Sequence, residues 1–300
     1  MPSESRPPLR IGLSANRKHQ EGADSALARL FTESRTAITD VLKPHFVVVG
    51  RTLDAMQSQQ LLPAYADVER FPYGREGGLM KLVARVVDPL PARVLDAVIY
   101  LIDPVDPSSS FPEAVALKRQ CVIHGKPFLS TLAGAREWFE LEAIAAGATP
   151  NAGLHRYFDF ARESIALIAH DAMKRDMLAL AEKHFAILDR FAHRYATGTT
   201  GGLLNELAIK LKGEAGRDWV RPFLSGPLGG DAQIAELILD GQCNRVVFLE
   251  DPHVARQHEA DIQLLERAAR TRTASASCMS DQRNADRWLS LLTARAALLT

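Results

Sequence analysis

The chain is poor in several features that would each have assigned it to a class. It has three cysteines in 300 residues, Cys121, Cys243 and Cys278. They are far apart and odd in number, which argues against a disulfide framework and against a zinc site. No apolar run approaches the roughly 20 residues of a membrane-spanning helix, and Met1-Pro-Ser-Glu-Ser-Arg6 lacks an apolar signal core. Neither sign of charge dominates: 36 basic residues face 36 acidic ones, without a long run of either. Nothing here supports nucleic acid or an anionic membrane as partner. No first-strand turn reads Gly-x-Gly-x-x-Gly, so the dinucleotide-binding fingerprint is missing. With 47% hydrophobic and 24% charged residues, the expectation is a soluble, cytoplasmic globular protein of about two domains.

Strands and helices alternate along the chain. Leu9–Ser14, Phe46–Val49, Ala97–Ile102 and Pro127–Ser130 read as strands. Helical patterning falls near residues 23–40, 79–86 and 112–124. Such alternation with tight Gly-rich turns implies a parallel sheet covered on both faces. The second half repeats this order at an offset of about 150 residues. Ile165–Ala169 matches the first strand, Gly198 matches Gly50, Gly229-Gly230 matches Gly77-Gly78, and Asp251-Pro252 matches Asp103-Pro104. A late strand is expected over Thr273–Cys278. The prediction is an α/β chain of two tandem three-layer α/β/α domains, each on a mainly parallel, Rossmann-like sheet. They span residues 1–150 and 151–300, with the boundary in the turn-rich Ala145–Gly153.

The copies differ in their polar residues. The second copy carries Tyr195-Ala-Thr-Gly-Thr-Thr-Gly-Gly202 and Ser225-Gly-Pro-Leu-Gly-Gly-Asp231. Glycines let backbone N–H groups approach a ligand closely, and a helix N-terminus favours an anion. The first stretch therefore reads as a phosphate cradle, though it lacks the spacing and lysine of a Walker loop. The second places Asp231 at the head of the helical pattern Ala232–Leu239, a position where Asp also serves simply as a cap. In the first copy Leu79 stands for Asp231, Tyr73 for Ser225, Arg17 for Asp171, and Ser110 and Glu113 for His258 and Asp261. Val49, Arg51 and Thr52 stand for Thr197, Thr199 and Thr200. One working site beside one degenerate copy fits this pattern.

Five ordered segments of the second half together resemble methylglyoxal synthase. They are Ile165-Ala-Leu-Ile-Ala-His-Asp-Ala-Met-Lys174, Ala196-Thr-Gly-Thr-Thr-Gly201, Leu224-Ser-Gly-Pro-Leu-Gly-Gly-Asp-Ala-Gln233, Asp251-Pro252 and His258-x-x-Asp261. The resemblance implies conversion of dihydroxyacetone phosphate to methylglyoxal and inorganic phosphate, with no cofactor and no metal. It makes Asp231 the catalytic base and Lys174, Thr197, Gly198, Thr199, Thr200, Ser225 and Gly226 the phosphate ligands. His170 and His258 become further substrate contacts, with Asp171 and Asp261 as supporting acids. A small phosphorylated substrate and a homo-oligomer are expected as partners. The family's Pro-His-Asp-Pro-Asp is here Gln257-His258-Glu259-Ala260-Asp261, and its C-terminal arginine has a weak counterpart in Arg295. The competing reading is a non-catalytic sensor of phosphorylated metabolites. A sensor needs the cradle but not the base, so Asp231 together with His258 and Asp261 favours the enzyme.

Overall fold

The structure, a computed structural model, describes residues 8–251 and 259–299, the last stretch without the side chains of 259–262. The first half runs β1 (Arg10–Ala15), α1 (Ala26–Glu33), β2 (His45–Val49), α2 (Gly50–Ser58), β3 (Val68–Phe71) and α3 (Gly78–Val86). It continues with β4 (Ala97–Leu101), α4 (Pro112–Ile123), β5 (Phe128–Leu129) and α5 (Leu132–Ala145). The second half opens with β6 (Ser164–Ala169), α6 (Lys174–Lys183), α7 (Phe185–Leu188), β7 (His193–Ala196) and α8 (Gly198–Lys212). It closes with β8 (Arg221–Pro222), α9 (Gly230–Leu239), β9 (Arg245–Leu249), α10 (Glu259–Thr271), β10 (Ser277–Met279) and α11 (Gln282–Ala297).

Two five-stranded parallel sheets result, ordered β3-β2-β1-β4-β5 and β10-β9-β6-β7-β8. The second order, read backwards, repeats the first. Helices cover both faces, so every residue of the central strands β4, β6 and β9 is buried, and all but Ser164 and Arg245, at the strand starts, are apolar. Each sheet separates two apolar clusters, one packed on each face. The edge strands β5 and β10 lie against each other, so the sheets meet side by side. Among the described residues no helix is long and apolar enough to cross a membrane.

Two expectations need correction. The pattern over residues 23–40 is not one helix. Helix α1 ends with Ser34 as its C-cap, and a separate π-helical turn over Ala37–Leu42 ends at left-handed Lys43, φ 45°. The late strand shrinks to Ser277–Met279. Thr273 instead caps the start of α5: its hydroxyl accepts from Leu132 N–H at 3.0 Å and its carbonyl from Ala133 N–H at 2.8 Å. Thr273 thus joins the halves instead of extending the strand.

Helix α5 carries this joint further. Its buried Glu137, Glu140 and Glu142 meet Arg245, Arg295 and Arg287 of the second half at 3.0, 3.2 and 2.5 Å. Arg136 of the same helix stacks 3.3 Å over the ring of Tyr157. Arg295 also sits 3.8 Å over the ring of Phe158. It is therefore an interface residue, and its place as a counterpart of the family's C-terminal arginine does not hold.

Candidate active site

In an open parallel sheet, ligands bind beyond the carboxyl ends of the strands, where the strand order reverses. That point in the second sheet lies between β6 and β9. A cleft of about 490 Å³ opens there. Its walls are Ile168–Ala172 and Lys174 after β6, Phe248 and Asp251 after β9, Thr197, Thr199 and Thr200 after β7, and Ser225–Pro227 and Asp231 after β8.

Local chain geometry explains how these groups are held. Thr197 is the N-cap of α8. Gly198 N–H donates to Leu224 O at 3.0 Å and Gly201 N–H to Thr197 O at 2.8 Å. Between them stand the amides of Thr199 and Thr200, in the first turn, where a helix supplies no carbonyl partner. Thr200 is buried, and its Oγ1 has no hydrogen-bond partner among the described residues. Gly198 packs too closely against Phe223 O and Ser225 N for a larger residue to fit freely, with a Cβ 3.1 and 3.2 Å away.

Asp231 is the second residue of α9 and is buried at 5% exposure. The preceding Gly229 takes φ 99°, a left-handed conformation that favours glycine. A Cβ on Gly230 would lie 1.8 Å from Leu224 O, so this turn admits no side chain. A Cβ on Gly226 would meet Asp231 Oδ2 at 2.7 Å, so the carboxylate rests against the bare glycine backbone. The positive end of the α9 dipole favours the ionised carboxylate there.

His170 caps the turn after β6. Its Nδ1 accepts from Asp251 N–H at 2.9 Å, and its backbone N–H donates to Leu249 O at 3.1 Å. An accepting Nδ1 fixes the neutral ring as the Nε2–H tautomer, a hydrogen-bond donor at the far nitrogen. The ring stands edge-on to Phe248 at 5.0 Å. Lys174, half-buried, reaches Asp171 at 2.5 Å, so this exposed acid at the cleft wall holds the lysine.

Nine of the twelve residues expected from the sequence line this cleft; Gly198 lies behind its wall. His258 and the Asp261 side chain fall outside the described residues. Sequence reasoning gave no role to Asp251, whose amide fixes His170, or to Phe248, which flanks it. The Asp-Pro signal marked the position of Asp251 without its function. Among the described residues no group of three or more His, Cys, Asp or Glu side chains is placed to hold a metal ion.

Methylglyoxal synthase of Ralstonia nicotianae is 47% identical to the chain over 107 residues, 36% of this chain and 73% of that protein. The chain belongs to the methylglyoxal synthase family. Methylglyoxal synthase of Thermus thermophilus is 45% identical over 105 residues, 35% of this chain and 76% of that protein. The crystal structure of methylglyoxal synthase from Elizabethkingia anophelis shares 35% identity, covers 43% of this chain and 78% of its own, and has a TM-score of 0.35. No family model matches. The family likeness thus accounts for about a third of the chain, which is longer than its relatives.

Proposed function

We propose that residues 151–300 form a phosphate-eliminating carbon–oxygen lyase that converts dihydroxyacetone phosphate into methylglyoxal and inorganic phosphate. The observation that carries this reading is the shared cleft of buried Asp231 and the amides and hydroxyls of Thr197–Thr200. A sensor would need the seat but no carboxylate base beside it. The 107 residues matched by the Ralstonia relative equal in length the stretch from about 160 to 265 that holds the ordered segments.

In this reading the phosphate sits on the Thr199 and Thr200 amides, with hydroxyls from Thr197, Thr199, Thr200 and Ser225 and charge from Lys174. Gly198 and Gly226 keep the backbone close. Asp231 removes a proton from the hydroxymethyl carbon, and the electron pair moves into an enediolate. A positioned base contributes about 10²–10⁴-fold, and donors aimed at the developing oxyanion supply much of the rest. The Nε2–H of His170 is one such donor. By the resemblance, His258 is the other, with Asp261 orienting it. The enediolate then expels phosphate by breaking the carbon–oxygen bond, and the enol product gains a proton at carbon and loses its hydroxyl proton to give methylglyoxal. Lys174, held by Asp171, offsets the charge of the departing phosphate.

Residues 1–150 are, in the same proposal, a copy of that domain without chemistry. In support, its strand order is the same, and Gly77 and Gly78 repeat the turn at Gly229 and Gly230: φ is 86°, and a Cβ on Gly78 would lie 2.2 Å from Pro72 O. Leu79, apolar and buried, takes the position of Asp231. At the strand ends, Asn16 donates to Asp106 and Ser108 at 3.1 Å each and accepts from Asp103 N–H at 2.9 Å, so polar side chains of this half bond one another.

The test is release of methylglyoxal and phosphate from dihydroxyacetone phosphate by the intact chain and by Asp231→Asn. Stoichiometric release falling at least about 100-fold in the variant is expected. Phosphate binding without release by the wild type would leave a sensor instead.

A further inference from the structure

Lys118, on α4 in the first half, enters the second half. Its Nζ lies 2.6 Å from Glu250 Oε1 and 2.8 Å from Glu266 Oε1, and all three side chains are largely shielded, at 15, 11 and 7% exposure. Glu250 directly follows β9, and its N–H donates to Ser280 O at 3.2 Å. Glu266, on α10, also pairs with Arg270 at 2.9 Å. Arg270 Nε reaches back to Ser130 of the first half at 3.3 Å. A single ammonium from the first half thus joins the end of β9 to α10 in the second.

The residue after Glu250 is Asp251, whose N–H holds His170 Nδ1. Its position depends on where Glu250 is fixed, since consecutive Cα atoms are a rigid ~3.8 Å apart. Without the lysine, two shielded carboxylates would face each other, and like charges at such distance cannot both stay ionised in place. One must take up a proton or swing away, and the peptide between Glu250 and Asp251 goes with it. The neighbouring cation Arg270 on α10 does not substitute, because it is already occupied by Glu266 and Ser130.

We propose that Lys118 is a positioning residue of the cleft: through Glu250 and the Asp251 amide, the first half sets the orientation and tautomer of His170. The fused copy then acts on the site of its neighbour without contributing a group that touches substrate. This inference rests on the lyase reading for its catalytic consequence but not for its geometry.

The test compares full-length Lys118→Met and Lys118→Arg with wild type, by lyase kinetics and by the ring-nitrogen NMR signals of histidine labelled with nitrogen-15. Lys118→Met should lower kcat by about 10- to 100-fold with KM changed less than about threefold, as a small misplacement of a distant group does. Lys118→Arg should recover most of the loss. The His170 signals should move from the pure Nε2–H pattern in wild type to mixed tautomers in Lys118→Met. Unchanged kcat together with unchanged His170 signals would overturn the inference. If wild type releases no methylglyoxal, the lyase reading fails, and the NMR comparison still decides the role of Lys118. Should Lys118→Met not fold, Lys118→Gln, which removes the charge and leaves both carboxylates in place, carries the same comparison.

Discussion

Thr200 illustrates how a single residue can work against stability in the service of the proposed phosphate seat. Its hydroxyl is buried without a hydrogen-bond partner among the described residues, and an unsatisfied buried polar group costs about 1–3 kcal/mol. Valine has the same shape without the hydroxyl. Thr200→Val is therefore expected to leave stability unchanged or raise it by about 1 kcal/mol. It should weaken phosphate binding by about tenfold or more, the worth of a hydrogen bond to a charged ligand. Urea unfolding and phosphate titration of the same variant check both signs. Lower stability with intact phosphate binding would mean that the hydroxyl serves the fold. The type and spacing of Thr197–Thr200 were readable in the sequence. That Thr200 is buried while Thr199 is exposed was not, because burial depends on what α8 packs against.

At the level of the element, α5 carries the ionic joint with Arg245 of β9 and Arg287 and Arg295 of α11. Arg245 on β9 faces two carboxylates, Glu137 at 3.0 Å and Glu163 at 3.3 Å. One guanidinium does not neutralise both, and Glu163 Oε2 is buried without a hydrogen-bond partner among the described residues. Burial above all raises the Glu163 carboxyl to about 7, with Arg245 opposing the rise and the charges of Glu137 and Asp159 adding to it. An unfolded glutamate titrates near about 4.3. The folded chain thus binds this proton more tightly than the unfolded chain. The stability this gives is full below about pH 4.3 and is lost as pH rises through about 7. Glu163→Gln keeps the neutral shape at every pH, so its stability advantage over wild type should grow from pH 5 to pH 8. Thermal melts across that range decide it, and a constant difference would refute the shift. The sequence marked Glu137, Glu140 and Glu142 only as charges on a helix, where acids are ordinarily solvated. Their burial comes from contact with a domain whose arginines lie more than a hundred residues away.

Over the whole molecule, the two halves are not independent beads. Arg245, Arg295 and Arg287 are paired with α5, Glu250 and Glu266 with Lys118, and Thr273 caps the head of α5. Leu141 of α5 belongs to the core of the second half. Removing one partner of a buried ion pair costs about 3–5 kcal/mol. A fragment of residues 151–300 would lose the partners of several at once. It is expected to melt at least about 10 °C below the intact chain or to fail to fold as a soluble monomer. Circular dichroism melts with size-exclusion chromatography measure this. A fragment melting within a few degrees of the intact chain would show that the joint contributes little.

The sequence by itself determined the parallel α/β architecture, the repeated order of strands and turns, and the residues of the candidate cleft. Those features are written in local patterns: unbroken apolar runs for covered strands, glycine pairs where a backbone must pass within van der Waals distance, and polar residues at strand ends. Only the tertiary structure decided what the first half is to the second. The edge-to-edge meeting of β5 and β10, the seat of Arg295 on Glu140, the reach of Lys118 to Glu250 and the hold of Asp251 on His170 all join residues distant in the chain. Their energies depend on burial and on distances of about 3 Å, and neither is encoded in the spacing of residues along one strand or one helix.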